Sequence, residues 1–179
     1  REDDAHRARF RVAGSPKRID QQAGWEGSST GRDRRRGFIE GLAAYDMSPI
    51  AIIDGHFDQA IAAQATRDLM ARADAPDAIF VGNDHMAFAV MDTLRTELGL
   101  SIPKDVSVVG YDDVPLAAWA AYDLTTLRPP LNRMIAATVD TLLGQLGDAS
   151  RPSQKTEIEG HLILRGSAQI PTRWTPTDV

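Results

Sequence analysis

The sequence predicts an α/β fold, a parallel sheet with helices on both faces, and three observations carry that expectation. Short apolar runs alternate along the chain with longer segments of helical periodicity. Two of the runs, Ala78–Gly82 and Val106–Gly110, are continuously apolar, as strands covered on both faces must be. The strands read in this way end in turns with small or polar residues, Gly14-Ser15, Asp54, Asn83 and Asp112. In an open parallel sheet, groups just beyond the carboxyl ends of the strands face a crevice, so a ligand is expected there.

Taken in order, Arg9–Ala13 alternates charged and apolar residues before Gly14-Ser15-Pro16 and reads as a strand and turn. Residues 17–31 are rich in Gly and Ser, with only Ile19, Ala23 and Trp25 as apolar anchors, and read as a long loop. Asp33–Asp46 has helical spacing, with Phe38, Leu42 and Tyr45 on one side, and closes at Ser48-Pro49 ahead of a short strand, Ile50–Ile53. A second helix, about Asp58 to Ala73, carries Ile61, Ala65 and Leu69 on one stripe. After Ala78–Gly82, Asn83-Asp84 can cap a helix whose apolar side is Met86, Ala87, Val90, Met91, Leu94 and Leu98, and which stops at Gly99. Val106–Gly110 completes a βαβ unit that ends in the acidic turn at Asp112. Beyond Arg128-Pro129-Pro130, Leu131, Ile135, Val139, Leu142 and Leu146 mark a helix with no neighbouring strand in sequence. Residues 157–165 then return as one edge strand, and Pro171–Val179 forms a loosely held tail.

Composition narrows the function classes. With 179 residues, 42% hydrophobic and 25% charged, the chain has room for one domain and part of another, and no apolar run approaches a membrane span. The absence of cysteine excludes disulfides, thiolate metal sites and a cysteine nucleophile, and suits a reducing, cytoplasmic setting. The net charge of −5 is uneven: residues 1–40 carry ten Lys/Arg against seven Asp/Glu, the remainder ten against eighteen. An acidic body of this kind repels phosphate backbone, so the chain alone is not expected to bind nucleic acid. Opening on Arg-Glu-Asp-Asp, without an initiator methionine or a signal-peptide pattern, it reads as a fragment or processed chain.

The residues by themselves leave each candidate with two readings. Asp112 either caps a turn or contacts a ligand; Asn83 and Asp84 either cap a helix or face the crevice. Phe57 is either an aromatic wall or a core residue stapling the next helix. Arg32, Arg34, Arg35 and Arg36 are a solvated helix start, although the helix dipole disfavours positive charge there, which points to a purpose for at least one. His6, His56, His85 and His161 lack the paired spacing of a zinc site, and Asp54-Gly55-His56-Phe57-Asp58 is too short for a calcium loop. No metal, cofactor or catalytic function is expected.

In order and spacing, one set of motifs resembles the effector-binding core of the lactose-repressor/galactose-repressor (LacI/GalR) family of bacterial transcription regulators. The set is Ala5-His6-Arg7, Arg34-Arg35-Arg36-Gly37-Phe38, Asp54-Gly55-His56-Phe57, Asn83-Asp84-His85-Met86-Ala87, Val106 through Asp113, Leu124-Thr125-Thr126 and Leu164-Arg165-Gly166-Ser167. The resemblance implies a periplasmic-binding-protein-like type I fold of two α/β lobes, of which this chain supplies mostly the C-terminal one. Residues 1–126 would form that lobe, 127–153 a helix belonging to the N-terminal lobe, 154–170 the returning strand and 171–179 the tail.

Carried over residue by residue, the resemblance places Arg34, Phe57, Asn83, Asp112 and Thr30 against a small effector, a sugar, polyol or nucleoside. Operator DNA would be bound through a missing N-terminal domain. It further implies a homodimer, and the apolar run Val114–Tyr122 needs a cover in any case. Leu116 and Trp119, with the outer helix side near Phe88 and Arg95, are expected at the two-fold axis. The alternative is a periplasmic sugar-binding protein of a transport system. A weaker third reading is a doubly wound enzyme using Asp54 and Asp112.

Overall fold

The computed structural model describes residues 18–148, 152 and 156–169. The strand and turn read at Arg9–Ala13 and Gly14-Ser15, and the tail at Pro171–Val179, lie outside the described residues. The rest forms one six-stranded sheet in the order β2-β1-β3-β4-β5-β6, whose strands are β1 (Ile19–Ala23), β2 (Ala51–Asp54), β3 (Ala78–Val81), β4 (Ser107–Tyr111), β5 (Thr125–Arg128) and β6 (His161–Ile163). β1 to β5 pair in parallel and β6 is antiparallel to β5.

The helices lie on both faces, as read from the sequence. α1 (Ser29–Ala43) packs Phe38 and Leu42 against Ile19, Phe80 and Val109, with the Phe38 and Phe80 rings stacked at 5.2 Å. On the other face, α2 (Gln59–Met70) and α3 (Asp84–Asp92) bring Leu69, Met86, Val90 and Met91 onto Ile79, Val81 and Val108. α3 continues as a π-turn over Thr93–Glu97, which carries Leu94 into the same core. The strand order reverses around β1, because α1 and α3 leave β1 and β3 for opposite faces. A crevice therefore opens between those two strand ends.

Four readings are corrected. The loop assigned to residues 17–31 contains the central strand β1, which has neighbours on both sides and is buried throughout. It escaped the pattern because Asp20, Gln21 and Gln22 are polar, whereas a central strand ordinarily reads as an apolar run. α1 starts at Ser29 rather than Asp33, since Ser28 accepts the Gly31 amide and caps it. β5 had no strand assignment at all, and the edge strand read over 157–165 shortens to His161–Ile163.

α4 (Leu131–Gly147) stands apart. None of its residues is buried, and Leu131, Ile135, Leu142, Leu143 and Leu146 are each at least 57% exposed. No helix among the described residues is long and apolar enough to cross a membrane.

Candidate functional site

At the crevice, α1 supplies Arg34 and the turn after β4 supplies Asp112. The Arg34 guanidinium donates through Nη2 to Asp112 Oδ1 at 2.8 Å and through Nη1 to the Gly82 carbonyl at the end of β3. Its carbon lies 3.8 Å from the centroid of the Tyr111 ring, a cation–π contact. One side chain thus ties together α1 and the ends of β3 and β4. Its Nε is buried without a hydrogen-bond partner, while the Asp112 side chain stays 31% exposed and open to a further donor. The arginine cluster thus resolves: Arg34 turns inward, whereas Arg35 and Arg36 pair with Glu26 and Asp33 at the surface.

Two turns beside the crevice hold non-glycine residues in left-handed backbone. His56 and Phe57 have φ of 52° and 58°, and Asp112 and Asp113 have 118° and 53°. Such positions cost of order 1–3 kcal/mol each and persist only where surrounding contacts enforce them. In the first turn, Asp54 accepts the His56 amide at 3.0 Å and the Glu26 amide at 3.4 Å. The Phe57 ring lies so close over Gly24 that a Cβ there would sit 2.0 Å from its Cζ, so glycine makes room for the ring. In the second turn, the Asp113 carboxylate accepts from Arg165 at 2.7 Å and from Arg128. Burial pushes Asp113 up, but the two guanidiniums outweigh it and hold the carboxyl below the usual range.

The remaining candidates divide. Asn83 is the cap of α3: its Oδ1 accepts the Met86 amide at 2.8 Å, which leaves its NH₂ donors out of the cap. Asp84, read as a cap, is instead fully buried and bonds to Val114 and Thr126. Thr30 is exposed in the first turn of α1 and is not its cap. Trp119 is 63% exposed and Leu116 is half-buried against the core. Arg95 donates to the Ala121 carbonyl across the same patch.

Phe88 is a correction. It is 3% exposed, its ring 4.4 Å from that of Tyr122, because α3 turns this position toward the loop that covers it. It cannot lie on an outer face. Tyr111, although quoted in a motif, had no role assigned; an aromatic residue directly before a strand-end acid was the available signal.

The charges of this crevice are largely internally matched. What remains on offer is hydrogen-bonding capacity at Asp112 and Asn83 beside the aromatic rings of Phe57 and Tyr111. That combination fits a small, neutral, hydroxyl-rich molecule.

Comparison with known proteins decides the family. The periplasmic binding protein-like domain matches residues 10–168. The chain belongs to that family. It is 32% identical over 149 residues to the HTH-type transcriptional repressor PurR of Photobacterium profundum, covering 82% of this chain and 44% of that protein. Against the ribose operon repressor of Escherichia coli the figures are 32% over 124 residues, 69% and 36%. Among solved structures, the Lac repressor dimer bound to operator and the anti-inducer ONPF superposes with a TM-score of 0.78 at 29% identity, covering 87% of this chain and 54% of that one. The transcriptional regulator CelR in complex with cellobiose gives 0.78 at 30% identity, covering 86% and 47%. The chain therefore spans between about a third and about half of the length of these relatives. Within the periplasmic binding protein-like family, these relatives are repressors and transcriptional regulators, so the likeness is to the effector-binding core of LacI-type repressors, as the motifs implied.

Proposed function

We propose that this chain is the C-terminal lobe of the effector-sensing core of a DNA-binding repressor, and that its crevice takes a sugar, polyol or nucleoside. The observation that carries this reading is the Arg34–Asp112 pair at the reversal of strand order, with Phe57 and Asn83 on the flanking loops. Operator contact is assigned to a DNA-binding domain outside these residues. The helix within 127–153, α4, is assigned to the second lobe, because its apolar face finds no cover among the described residues. Effector closing the two lobes would favour one relative orientation and so change the population competent for operator.

A thermal-shift screen of the intact protein with D-ribose, cellobiose, polyols and nucleosides tests the assignment. A binder at one hundred times its dissociation constant stabilises by about 2.7 kcal/mol, a shift of several degrees. No shift with any of these classes would remove the effector reading.

We further propose a symmetric homodimer through Leu116, Trp119 and the side of α3 near Arg95. An exposed Trp with Pro115, Ala118 and Ala120 beside it is a patch of the kind that subunit contacts cover. Trp119→Asp would bury an unpaired charge in that contact and is expected to yield a folded monomer. Light scattering that finds the parent monomeric at high micromolar concentration, or the variant still dimeric, would refute the interface.

A further inference from the structure

We propose that Asp84 is a positioning residue for effector recognition, holding the acidic turn in the shape that presents Asp112 to the crevice. The inference rests on the crevice reading above and deepens it. Asp84 is the first residue of α3 and is 0% exposed, yet it does no capping, since Asn83 already takes the Met86 amide. Its carboxylate instead reaches two distant parts of the chain. Oδ2 accepts the Val114 amide at 2.9 Å, and Oδ1 accepts the Thr126 hydroxyl at 2.6 Å.

Room for that carboxylate is built into β4. A Cβ at Gly110 would lie 2.3 Å from Asp84 Oδ1, so only glycine admits the acid beneath the strand. Burying a carboxylate is costly unless its acceptors are used, and here they serve the turn and β5 rather than its own helix.

The turn needs such a hold. Asp112 and Asp113 stand consecutively at positive φ, a conformation that relaxes unless it is fastened on both sides. The entry is fastened by the Asp112 amide, which donates to the Leu127 carbonyl at 2.9 Å. The middle is fastened by Arg128 and Arg165 on Asp113. The exit is fastened by Asp84 through Val114. Because Asp84 follows Asn83 directly, the same contact also fixes the distance between the two polar groups, Asn83 and Asp112, that flank the crevice. Burial and the nearby Asp112 and Asp113 charges raise the Asp84 carboxyl, while the Thr126 and Val114 bonds oppose this, so a neutral side chain with the same acceptor is a close substitute.

The test compares Asp84→Leu, Asp84→Asn and Thr126→Val in the intact protein. Hydrogen exchange of the Val114 amide is read by NMR without ligand, and titration calorimetry uses D-ribose and cellobiose. Asp84→Leu is expected to speed Val114 exchange more than tenfold and to weaken sugar binding more than tenfold. Asp84→Asn, which keeps an acceptor for Val114, should restore both to within about threefold. Thr126→Val loosens the other anchor and should weaken sugar binding several-fold; it stands in for Asp84→Leu if that variant does not fold. Unchanged Val114 exchange in Asp84→Leu overturns the proposal, as does failure of Asp84→Asn to rescue; where Asp84→Leu does not fold, unchanged sugar binding in Thr126→Val overturns it. A wild-type protein that binds neither sugar refutes the crevice reading for those sugars, while the exchange result still decides the role of Asp84.

Discussion

Asp20→Val is expected to stabilise the protein by about 4 kcal/mol above pH 7, an unusual sign for a substitution in a central strand. Asp20 lies in register with Ala51 on one side and Ile79 on the other, and Gln22, two residues on and therefore on the same face, donates to Thr66 of α2 at 2.8 Å. That face is the apolar core beneath Leu69, and neither carboxylate oxygen of Asp20 has a hydrogen-bond partner. Burial drives its pKa from 3.8 to about 7, with the Gln21 and Ala51 backbone and the charge of Arg72 lowering it only partly.

The folded state therefore holds a proton on Asp20 that the unfolded chain has already released. Stability contributed by that proton is full below about pH 4, falls as pH rises toward 7, and is flat beyond. Valine is larger by about one methylene, favours strands and carries no proton, so the gain should grow across that window and largely vanish at pH 4. Urea midpoints of parent and variant at pH 4.5, 6 and 8 check this. A variant no more stable than the parent at pH 8 would mean that the β1 carboxylate is not desolvated.

The same strand shows where sequence reading stopped. The apolar runs of β3 and β4 were legible because both faces of a central parallel strand demand such residues, and Phe38, Leu42 and Leu69 announced their helices by spacing. β1 carries three buried polar residues and so gives no pattern; only its place in the sheet reveals it. Arg34 and Asp112 came from what the family resemblance implies: by themselves the residues offered only a cluster of four arginines in mild conflict with the helix dipole, and an acid after a strand, where turn caps are common. The division of labour between Asn83 and Asp84 was not legible. Both residue types favour helix starts, and which one caps is decided by partners 30 and 42 residues away, Val114 and Thr126. Phe88 was misplaced for a related reason: the face of α3 that it occupies is covered by Tyr122, from a loop whose path the helix itself does not encode.

Arg34→Ala and Asp112→Ala are each expected to weaken effector binding by about 1.5–3 kcal/mol, roughly ten- to a hundredfold, while the protein stays folded. The reasoning starts from how Arg34 is held. Its fork spans Gly82 and Asp112 while its flat face rests on Tyr111, so it is rigid before any ligand arrives, and little ordering entropy is lost when one binds. With side-chain exposures of 15% and 31% the pair is part-buried, so the urea midpoint of each variant is measured beside its affinity, which separates a binding loss from unfolding. Arg34→Lys keeps the charge but cannot bridge two acceptors with one point-like ammonium, and it should behave nearly as poorly as alanine. Asp112→Asn keeps one acceptor and should lose less than Asp112→Ala. Because the two side chains touch, the double variant should cost less than the two single losses added together. Calorimetry with whichever of D-ribose or cellobiose binds the parent gives the full cycle. Unchanged affinity in both single variants would take Arg34 and Asp112 out of the site, and strict additivity would mean that they act on the effector independently rather than as the pair seen here.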